Sequence, residues 1–387
     1  MFEVLTKDGR SQARLGRLKT EHGDVETPAY VIVGTNAAVR TLRPEDLPAT
    51  KTQIIIANTY HLWRELGDEG LDNYHGLHAE MEWNGPLMTD SGGFPVFSMG
   101  AAREHGVGKI TKREAQAPQE NLIRVTEVGV YFRGDEEEEY LDAELSIKIQ
   151  EQLGADIIFA FDEPSSPLHD HAYTQTAMER THRWAARSLE AKTSSQQLYG
   201  IVQGGRFEDL RTQSAKFIAT LPFDGFGIGG SFGSSFGGEK TATLRELAWT
   251  IPHLPAGKPR HLLGMGRIED IFAGVEAGID TFDCVIPTRE ARHGALWTAR
   301  GRFDILKGLE AASGEPIDDA CACPVCADMG VTRGDLHARF RNKDPEAGRL
   351  ATIHNVYFFN DLMEKIRAAL AQGAFQTFKM HSLKALS

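Results

Sequence analysis

The chain contains little cysteine and no long apolar segment. Four cysteines in 387 residues, three of them crowded together, leave no disulfide framework, which indicates a reducing compartment. Residues 1–9 lack the apolar core of a signal peptide, and no apolar run approaches the roughly 18 residues that a membrane helix requires. We therefore expect a cytoplasmic protein with no membrane partner.

Positive charge is also scarce, because 42 lysines and arginines face 54 aspartates and glutamates and give a net charge of −12. That balance argues against a general nucleic-acid binder, whose non-specific affinity comes mainly from neutralising phosphates. Residues 333–349 hold a local excess of arginine and lysine, which suits a selective nucleic-acid partner and fits a solvated surface equally well. The acidic run at residues 134–139 is typical of a solvated loop.

Common nucleotide and metalloprotease signatures are missing. The sequence has no Walker A motif and no HExxH motif, which excludes the chemistry that those motifs carry. Residues 225–230 (GFGIGG) fit the GxGxxG pattern, but a stretch rich in glycine and serine follows where a dinucleotide site needs a helix. Dinucleotide binding is therefore rejected.

Eight short apolar runs, most of them followed by polar or glycine residues, recur through the first 290 residues. They occupy residues 30–33, 54–57, 86–88, 157–161, 198–202, 226–228, 261–263 and 281–286. Amphipathic helical patterns lie between several of them, for example at residues 142–153 and 269–277. Buried strands that alternate with helices indicate a parallel α/β fold, and eight strands favour a (β/α)8 TIM barrel over the competing doubly wound sheet.

The predicted organisation is a barrel followed by a smaller subdomain. Residues 1–300 form the catalytic barrel, with an insertion at about 103–140 between the third and fourth strands. Residues 301–387 form a zinc-binding subdomain with a long helix at 353–371, whose apolar residues recur every three or four positions and give one buried stripe. We expect this helix to dock on the barrel.

Three cysteines fall within six residues, at Cys321, Cys323 and Cys326. A metal ion needs thiolates that close together, and a turn that contains proline gathers them. His354, at the predicted start of the long helix, is the best fourth ligand, although His337 lies closer in sequence. Cys3His is a closed tetrahedral zinc set, so the cluster predicts one structural zinc per chain, and the alternative is a reduced cysteine-rich loop.

Two aspartates stand where a carboxylate is unusual. Asp90 ends the third predicted strand and precedes a glycine pair that lets a ligand approach the backbone, and Asp283 lies in an otherwise apolar strand. Two carboxylates across a barrel mouth suit glycosyl transfer, in which one attacks the anomeric carbon and the other shuttles a proton. The alternative is that either aspartate caps a helix or pairs with an arginine.

A second set of residues at or next to strand ends comprises Asp156, Gln203 and Gly230. A carboxylate, an amide and a backbone N–H together match the edge of a purine such as guanine, which offers both donors and acceptors. Asp156 could equally cap the helix that precedes it.

With these residues in order, the chain resembles the tRNA-guanine transglycosylases over nearly its whole length. The motifs that carry the resemblance are TDSGGF at 89–94, GADI at 154–157 with FDE at 161–163, GIVQGG at 200–205, GG at 229–230, FDCVIPTR at 282–289, the cysteine cluster and HN at 354–355. The family fold is a TIM barrel with a zinc-bearing C-terminal insert. The family reaction exchanges the wobble guanine of GUN-anticodon tRNAs for a free 7-deazaguanine base in queuosine modification, after the anticodon loop docks and the guanine leaves the stack.

The resemblance implies a role for each candidate residue. Asp283 matches the nucleophile that forms a covalent ribosyl–enzyme intermediate, and Asp90 matches the acid/base residue that protonates guanine and deprotonates the incoming base. The other matches are substrate-binding Asp156, Gln203, Gly230, Ser91, Phe94, Gly233, Leu263 and Gly264, RNA-reading Arg289 and Arg292, and zinc ligands Cys321, Cys323, Cys326 and His354. Family members are usually homodimers through the zinc region and need no organic cofactor.

Departures from the family pattern concern the incoming base. Pro95 stands where the family commonly has glutamine, and Ile158 where bacterial members commonly have cysteine. Gly233 in place of valine, together with Phe94, leaves room beside the 7-substituent, so the sequence favours queuine, with 7-aminomethyl-7-deazaguanine next. Two alternatives stay open, an archaeal-type enzyme that acts elsewhere in tRNA and a non-catalytic partner subunit that binds tRNA.

Overall fold

The computed structural model describes residues 1–93, 97, 123–133, 138–229 and 242–386. The strands in this part of the chain are β1 (Phe2–Lys7), β2 (Arg14–Thr20), β3 (Gly23–Thr27), β4 (Ala29–Gly34), β5 (Ile55–Ala57), β6 (Leu87–Thr89), β7 (Ile123–Val125), β8 (Gly129–Arg133), β9 (Glu138–Asp142), β10 (Ile157–Phe159), β11 (Gln197–Val202), β12 (Gly225–Ile228), β13 (Arg260–Leu262), β14 (Thr281–Asp283), β15 (Ala295–Thr298) and β16 (Gly301–Asp304). The α-helices are α1 (Thr59–Asp72), α2 (Leu77–Glu80), α3 (Ala143–Leu153), α4 (His171–Ala191), α5 (Glu208–Thr220), α6 (Ala242–Thr250), α7 (Ile268–Ala277), α8 (Ile286–Arg292), α9 (Arg333–Arg341), α10 (Pro345–Ala371) and α11 (Phe375–Leu386). Among these described helices, none has the length and apolar character needed to cross a bilayer.

A closed barrel of eight parallel strands lies at the centre of the described chain. The strands run in the order β4–β5–β6–β10–β11–β12–β13–β14, and β14 pairs with β4 to close the barrel. All eight predicted strands are present, so the (β/α)8 prediction is confirmed. The last strand ends at Asp283 and not at residue 286, because α8 begins at Ile286 and Pro287 suits its first turn. Parallel strands bring all eight carboxyl ends to one mouth, where such barrels place their chemistry.

The opposite, amino end of the barrel is covered by an antiparallel sheet, β1–β2–β3, which the sequence patterns did not predict. Leu18 and Val25 of the β2–β3 hairpin are fully buried. They pack in one cluster with Ala29 and Ile157, the first residues of two barrel strands. The hairpin therefore closes the floor of the barrel and leaves the mouth at the other end.

The predicted insertion contains a second antiparallel sheet, β7–β8–β9, between the third and fourth barrel strands. Residues 103–122 and 134–137 lie outside the described residues. Glu138 and Glu139, at the end of the acidic run, begin β9 and pair with Arg133 and Phe132 of β8. The expectation of a loop is therefore wrong for these two residues, although the Glu138 side chain is exposed to solvent as expected.

Helix α10 is longer than predicted. It begins at Pro345, because the Asp344 carboxylate accepts the amide N–H of Glu346 at 3.0 Å and proline suits the first helical turn. His354 therefore lies inside the helix and not at its start. The apolar stripe is buried as the spacing predicts, at Val356, Phe359, Met363, Ile366 and Leu370.

A further helix, α11, follows α10 and was not predicted. Lys379 and Gln376 of α11 donate to the two carboxylate oxygens of Glu276 on α7, at 2.6 and 2.9 Å. Strands β15 and β16 pair across residue 300. The predicted domain boundary at that residue, which stays a prediction, therefore falls inside one hairpin.

Candidate active site and metal centre

Asp90 follows β6 at the mouth of the barrel and is held by three donors. Its Oδ1 accepts the backbone N–H groups of Thr59 at 3.0 Å and Gly92 at 3.1 Å, and its Oδ2 accepts from Asn58 Nδ2 at 2.5 Å. Burial raises the pKa of Asp90 to about 7, against the opposing hydrogen bonds, and the negative charge of Asp283 adds to the rise. A carboxyl group with this pKa can give or take a proton near neutrality.

Asp283 is the last residue of β14 and reaches the same mouth, with 16% of its side chain exposed. Its Oδ1 accepts the backbone N–H of Gly264 at 2.8 Å and lies 3.1 Å from Nε2 of His261. The other ring nitrogen of His261 lies 2.9 Å from the hydroxyl of Thr281, which fixes the imidazole in place. Among the described residues both of these bonds end on Oδ1.

Asp162 and Gln203 form a buried polar pair between the ends of β10 and β11. Asp162 Oδ2 accepts from Gln203 Nε2 at 2.7 Å, and Asp162 Oδ1 accepts from Ser91 Oγ at 2.9 Å. Burial raises the pKa of Asp162 to about 6 despite these bonds, and the neighbouring Glu163 adds to the rise. The pair offers an acceptor and an amide side by side, which suits the edge of a purine.

Asp156 does not lie with these residues. It precedes β10 and accepts the backbone N–H groups of Leu87 at 2.9 Å and His22 at 3.1 Å, which lie at the start of β6 and in the turn of the floor hairpin. Asp156 is therefore at the amino end of the barrel, and the expected place of this residue in the site is wrong. Asp162, at the carboxyl end of the same strand, occupies that place. Ile158 packs fully buried in the main hydrophobic core and not at the mouth.

The backbone at Gly229, directly after β12, is anchored by Arg211, a fully buried residue of α5. Its guanidinium donates to the carbonyl oxygens of Gly205, at 2.7 Å, and of Gly229, and lies 3.2 Å from the Glu246 carboxylate. The Arg211 side chain thereby connects the backbone at Gly205, two residues after Gln203, with the backbone at Gly229. Other predicted pocket residues, namely Phe94, Gly230 and Gly233, together with Pro95, lie outside the described residues. Leu263, at the end of β13, is half-buried beside Gly264.

Arg289 and Arg292 lie in the last turn of α8, the helix that starts three residues after Asp283. Arg289 is exposed and Arg292 is half-buried. Burial lowers the pKa of Arg292, and the positive charges of Arg40 and Arg289 lower it further, so three guanidinium groups lie close together. Arg40 lies in a turn after β4 and could not be recognised from the sequence patterns. Such a like-charge group next to a site suits phosphate oxygens.

The three clustered cysteines meet His354 as predicted. One ligand atom from each of Cys321, Cys323, Cys326 and His354 lies within 4.8 Å of all the others. His354 Nε2 donates to the carbonyl of Trp297 at 2.8 Å, so Nδ1 presents its lone pair 3.4 Å from Cys326 Sγ and 3.7 Å from Cys323 Sγ. Three sulfurs and one imidazole, with the second ring nitrogen bound to a carbonyl, fit a metal ion such as zinc.

His337, the alternative ligand, does not belong to the group of ligand atoms that the three cysteines and His354 form, and its Nδ1 donates to the carbonyl of Ile305 at 2.7 Å. The basic stretch 333–349 is partly neutralised. Arg339 pairs with Asp344 at 2.7 Å, and Arg349 contacts both Asp46 and Glu346, at 2.5 and 2.7 Å. These ion pairs favour the interpretation of 333–349 as a solvated surface over that of a basic face for a nucleic-acid partner.

The metal cluster is connected to the segment that follows Asp283. Asn355, the neighbour of His354, donates to the carbonyls of Pro287 at 3.2 Å and Ala295 at 3.0 Å, and accepts from the Trp297 amide at 3.1 Å. Pro287 belongs to α8, which carries the arginine group. The position of α10, which carries His354 and Asn355, therefore constrains α8.

Comparison with known proteins agrees with this geometry. Residues 8–387 match the family model of queuine tRNA-ribosyltransferase. The protein of that name from Halothermothrix orenii is 41% identical over 386 residues, which covers 99% of this chain and 97% of the relative. The queuine tRNA-ribosyltransferase of Desulforudis audaxviator is 40% identical over 389 residues, with 100% and 98% covered, and that of Herpetosiphon aurantiacus is 43% identical over 380 residues, with 97% and 91% covered. The chain belongs to the queuine tRNA-ribosyltransferase family.

The queuine tRNA-ribosyltransferases are pentosyltransferases that act on tRNA, and the resemblance inferred from the motifs is confirmed. Several residues that shape the site were missed. Asn58 and Thr59 follow β5 as Asp90 follows β6, so the strand-end rule could have found them. His261 stands out as a histidine in an apolar strand, and Asp162 was present in the FDE motif without being chosen.

Proposed function

We propose that this family member exchanges the wobble guanine of tRNA for a 7-deazaguanine base through a covalent ribosyl–aspartyl intermediate. The observation that carries the proposal is the placement of two unlike carboxylates at one barrel mouth. Asp283 has one oxygen fixed by Gly264 and His261, and Asp90 has a pKa of about 7. A fixed anion suits a nucleophile, and a carboxyl group that titrates near neutrality suits a proton shuttle.

In the first step, Asp283 Oδ2 attacks C1′ of the target ribose. The bond between C1′ and the guanine nitrogen breaks, and Asp90 gives its proton to the departing base. In the second step, Asp90 takes a proton from the incoming base, whose ring nitrogen attacks C1′ and releases Asp283. One glycosidic bond is broken and one is formed, so no net proton and no nucleotide energy source is required.

Base recognition is assigned to Asp162 and Gln203, with the backbone of Gly230 as a further contact of the same proposal. Asp162 accepts from the N–H groups on the Watson–Crick edge of the base, and Gln203 contributes a donor and an acceptor. Ser91 and Gln203 hold the carboxylate at 2.9 and 2.7 Å, so the pocket is organised before a base enters. A preorganised polar pocket rejects bases that leave these groups unpaired.

The Cys3His cluster is proposed to hold one zinc ion with a structural role. All four positions are filled by protein atoms, so the ion has no open position for substrate. Its effect reaches the site through Asn355 and α8. The arginine group at the end of α8 is proposed to contact the anticodon loop, and two copies are expected to pair through the zinc region.

Transfer of labelled guanine into total tRNA tests the proposed function, with the modified nucleotide located by digestion. Incorporation at the wobble position of GUN-anticodon tRNAs supports it. Incorporation elsewhere in tRNA favours the archaeal-type activity, and incorporation in no tRNA favours the non-catalytic subunit.

The incoming base is tested by competition. Queuine is the proposed substrate, because the family resemblance matches Phe94 and Gly233, which replaces the usual valine, to positions that would leave room for a large 7-substituent. We expect queuine to inhibit guanine exchange at a lower concentration than 7-aminomethyl-7-deazaguanine does. A tenfold preference for the aminomethyl base contradicts the queuine assignment and leaves the exchange chemistry intact.

A further inference from the structure

A second group of metal-type side chains lies at the floor of the barrel, at the end opposite to the active site. His22 comes from the turn between β2 and β3, His78 from α2, and Asp156 from the residue before β10. One ligand atom from each lies within 4.8 Å of the other two. His22 Nδ1 is 2.9 Å from Asp156 Oδ1, and His78 Nε2 is 3.5 Å from Asp156 Oδ2.

The orientation of His78 shows which of its nitrogens is available. Nδ1 lies 2.9 Å from the carbonyl oxygen of Trp83, which can only accept, so Nδ1 carries the hydrogen. Nε2 then presents a lone pair, and this buried atom has no hydrogen-bond partner within the described part of the chain. A lone pair that faces a carboxylate at 3.5 Å is unfavourable unless a proton or a metal ion lies between the two groups. His354 shows the same arrangement in the Cys3His cluster, with its outer nitrogen bound to the Trp297 carbonyl.

The carboxylate of Asp156 is also held in place by hydrogen bonds from neighbouring backbone groups. The backbone N–H of Leu87 binds Oδ2 at 2.9 Å, and the backbone N–H of His22 binds Oδ1 at 3.1 Å. Its side chain is 1% exposed, and a buried charge of this kind needs a positive partner.

We propose that His22, His78 and Asp156 form a second metal site, which takes a divalent transition-metal ion of the zinc class. Two imidazoles and one carboxylate are a known ligand set for such ions, and three protein ligands leave positions for water. The two rings are stacked with centroids 3.6 Å apart, so binding requires a small rotation of His22, whose side chain is 37% exposed and free to turn toward solvent.

The ion would fasten the floor hairpin to the barrel. His22 is in the hairpin turn, between the strands whose Leu18 and Val25 fill the barrel floor. Asp156 and His78 belong to the segments that lead into β10 and β6. A shared ion would therefore join three parts of the chain at the end away from the mouth, and would raise stability without taking part in base exchange.

Metal titration of the full-length protein tests the proposal. The protein is first loaded at its thiolate cluster and then titrated with Co²⁺ and, separately, with Zn²⁺, by calorimetry. We expect one further ion per chain, bound without the thiolate-to-cobalt charge-transfer absorption that the cysteine cluster gives. His22→Ala should weaken this binding at least tenfold, and Zn²⁺ should raise the unfolding midpoint of the wild type but not of the variant.

His75→Ala is the matched control, because His75 is exposed and lies three residues from His78 without belonging to the group. It should bind the further ion as the wild type does. Asp156→Asn is a second variant that should lose the ion. Equal uptake by the wild type and His22→Ala would show that the ion binds elsewhere, and a midpoint that follows pH but not Zn²⁺ would show that a proton occupies the place. Either result would overturn the proposal.

Discussion

Asp162 and Gln203 share a buried hydrogen bond of 2.7 Å between the ends of two neighbouring barrel strands. Because this bond holds the carboxylate toward the pocket, Asp162→Asn should place an N–H donor where the base also presents donors. We expect the KM for guanine to rise at least about tenfold, since a polar pocket with an unpaired group rejects its ligand strongly. Steady-state guanine exchange measures this.

The same substitution at a structural aspartate is the control. Asp224 is exposed and accepts the Leu198 amide at 2.9 Å at the start of a barrel strand. Asp224→Asn should leave the KM for guanine unchanged. An unchanged KM in Asp162→Asn would show that residues other than Asp162 recognise the base.

The proposed acid/base role of Asp90 predicts a pH dependence of the reaction. Its pKa is raised to about 7, so the carboxyl group is protonated below that pH and ionised above it. The step that protonates departing guanine should therefore slow as pH rises through about 7, by about tenfold per unit at the limit. The rate of guanine loss from tRNA in a single turnover, measured between about pH 5.5 and 8.5, tests this pH dependence.

A raised carboxyl pKa also has a stability consequence. The folded protein binds the Asp90 proton more tightly than the unfolded chain, so this contribution is present below the unfolded pKa and is lost as pH rises through about 7. A single-turnover rate of guanine loss that does not change between about pH 5.5 and 8.5 would contradict the proposed acid/base role of Asp90.

The arginine group predicts a salt-dependent loss of tRNA affinity. Arg289→Gln, Arg292→Gln and Arg40→Gln should each weaken tRNA binding by about 1 kcal/mol and reduce the slope of affinity against salt by about one. Arg300→Gln is the control, because Arg300 is exposed and pairs with Asp319 at 2.7 Å. If Arg300→Gln weakens binding as much as Arg40→Gln does, the effect comes from net charge and not from this group.

The metal cluster predicts a loss of stability before a loss of chemistry. Cys323 is fully buried, and Cys323→Ala should abolish thiolate-bound metal and lower the free energy of unfolding by several kcal/mol, because metal binding is coupled to folding. Cys284→Ala, at the cysteine outside the cluster, should keep the metal, as read from thiolate-to-cobalt absorption. Loss of tRNA affinity should accompany metal loss in Cys323→Ala, while the single-turnover rate of bound tRNA changes less.

The barrel could be predicted because each of its strands is an apolar run with polar residues at one end. The floor hairpin could not be predicted in this way. Each of its strands, β2 and β3, has a single deeply buried apolar residue, Leu18 or Val25, so neither forms an apolar run. The predicted start of helix α10 is eight residues too late, because residues 345–352 are largely polar or small and show no apolar stripe.

The positions of candidate site residues could be predicted where they follow from the position of a strand. Asp90 and Asp283 end their strands and meet at the mouth. Asp156 was misplaced because it precedes its strand, and only the three-dimensional register showed that Asp162, beyond the other end, faces Gln203. Arg40 and His261 act through neighbours that are remote in sequence, which a single chain does not reveal.

The covalent intermediate on Asp283 is the central claim, and trapping tests it most directly. Asp283→Asn keeps the size of the side chain and the oxygen that accepts from Gly264 at 2.8 Å, but removes the nucleophilic anion. Wild-type protein denatured during turnover with tRNA should yield a protein–RNA adduct that survives the denaturant, and Asp283→Asn should yield none and lose at least about a thousandfold in guanine exchange. Exchange of labelled guanine by Asp283→Asn at the wild-type rate would contradict the account.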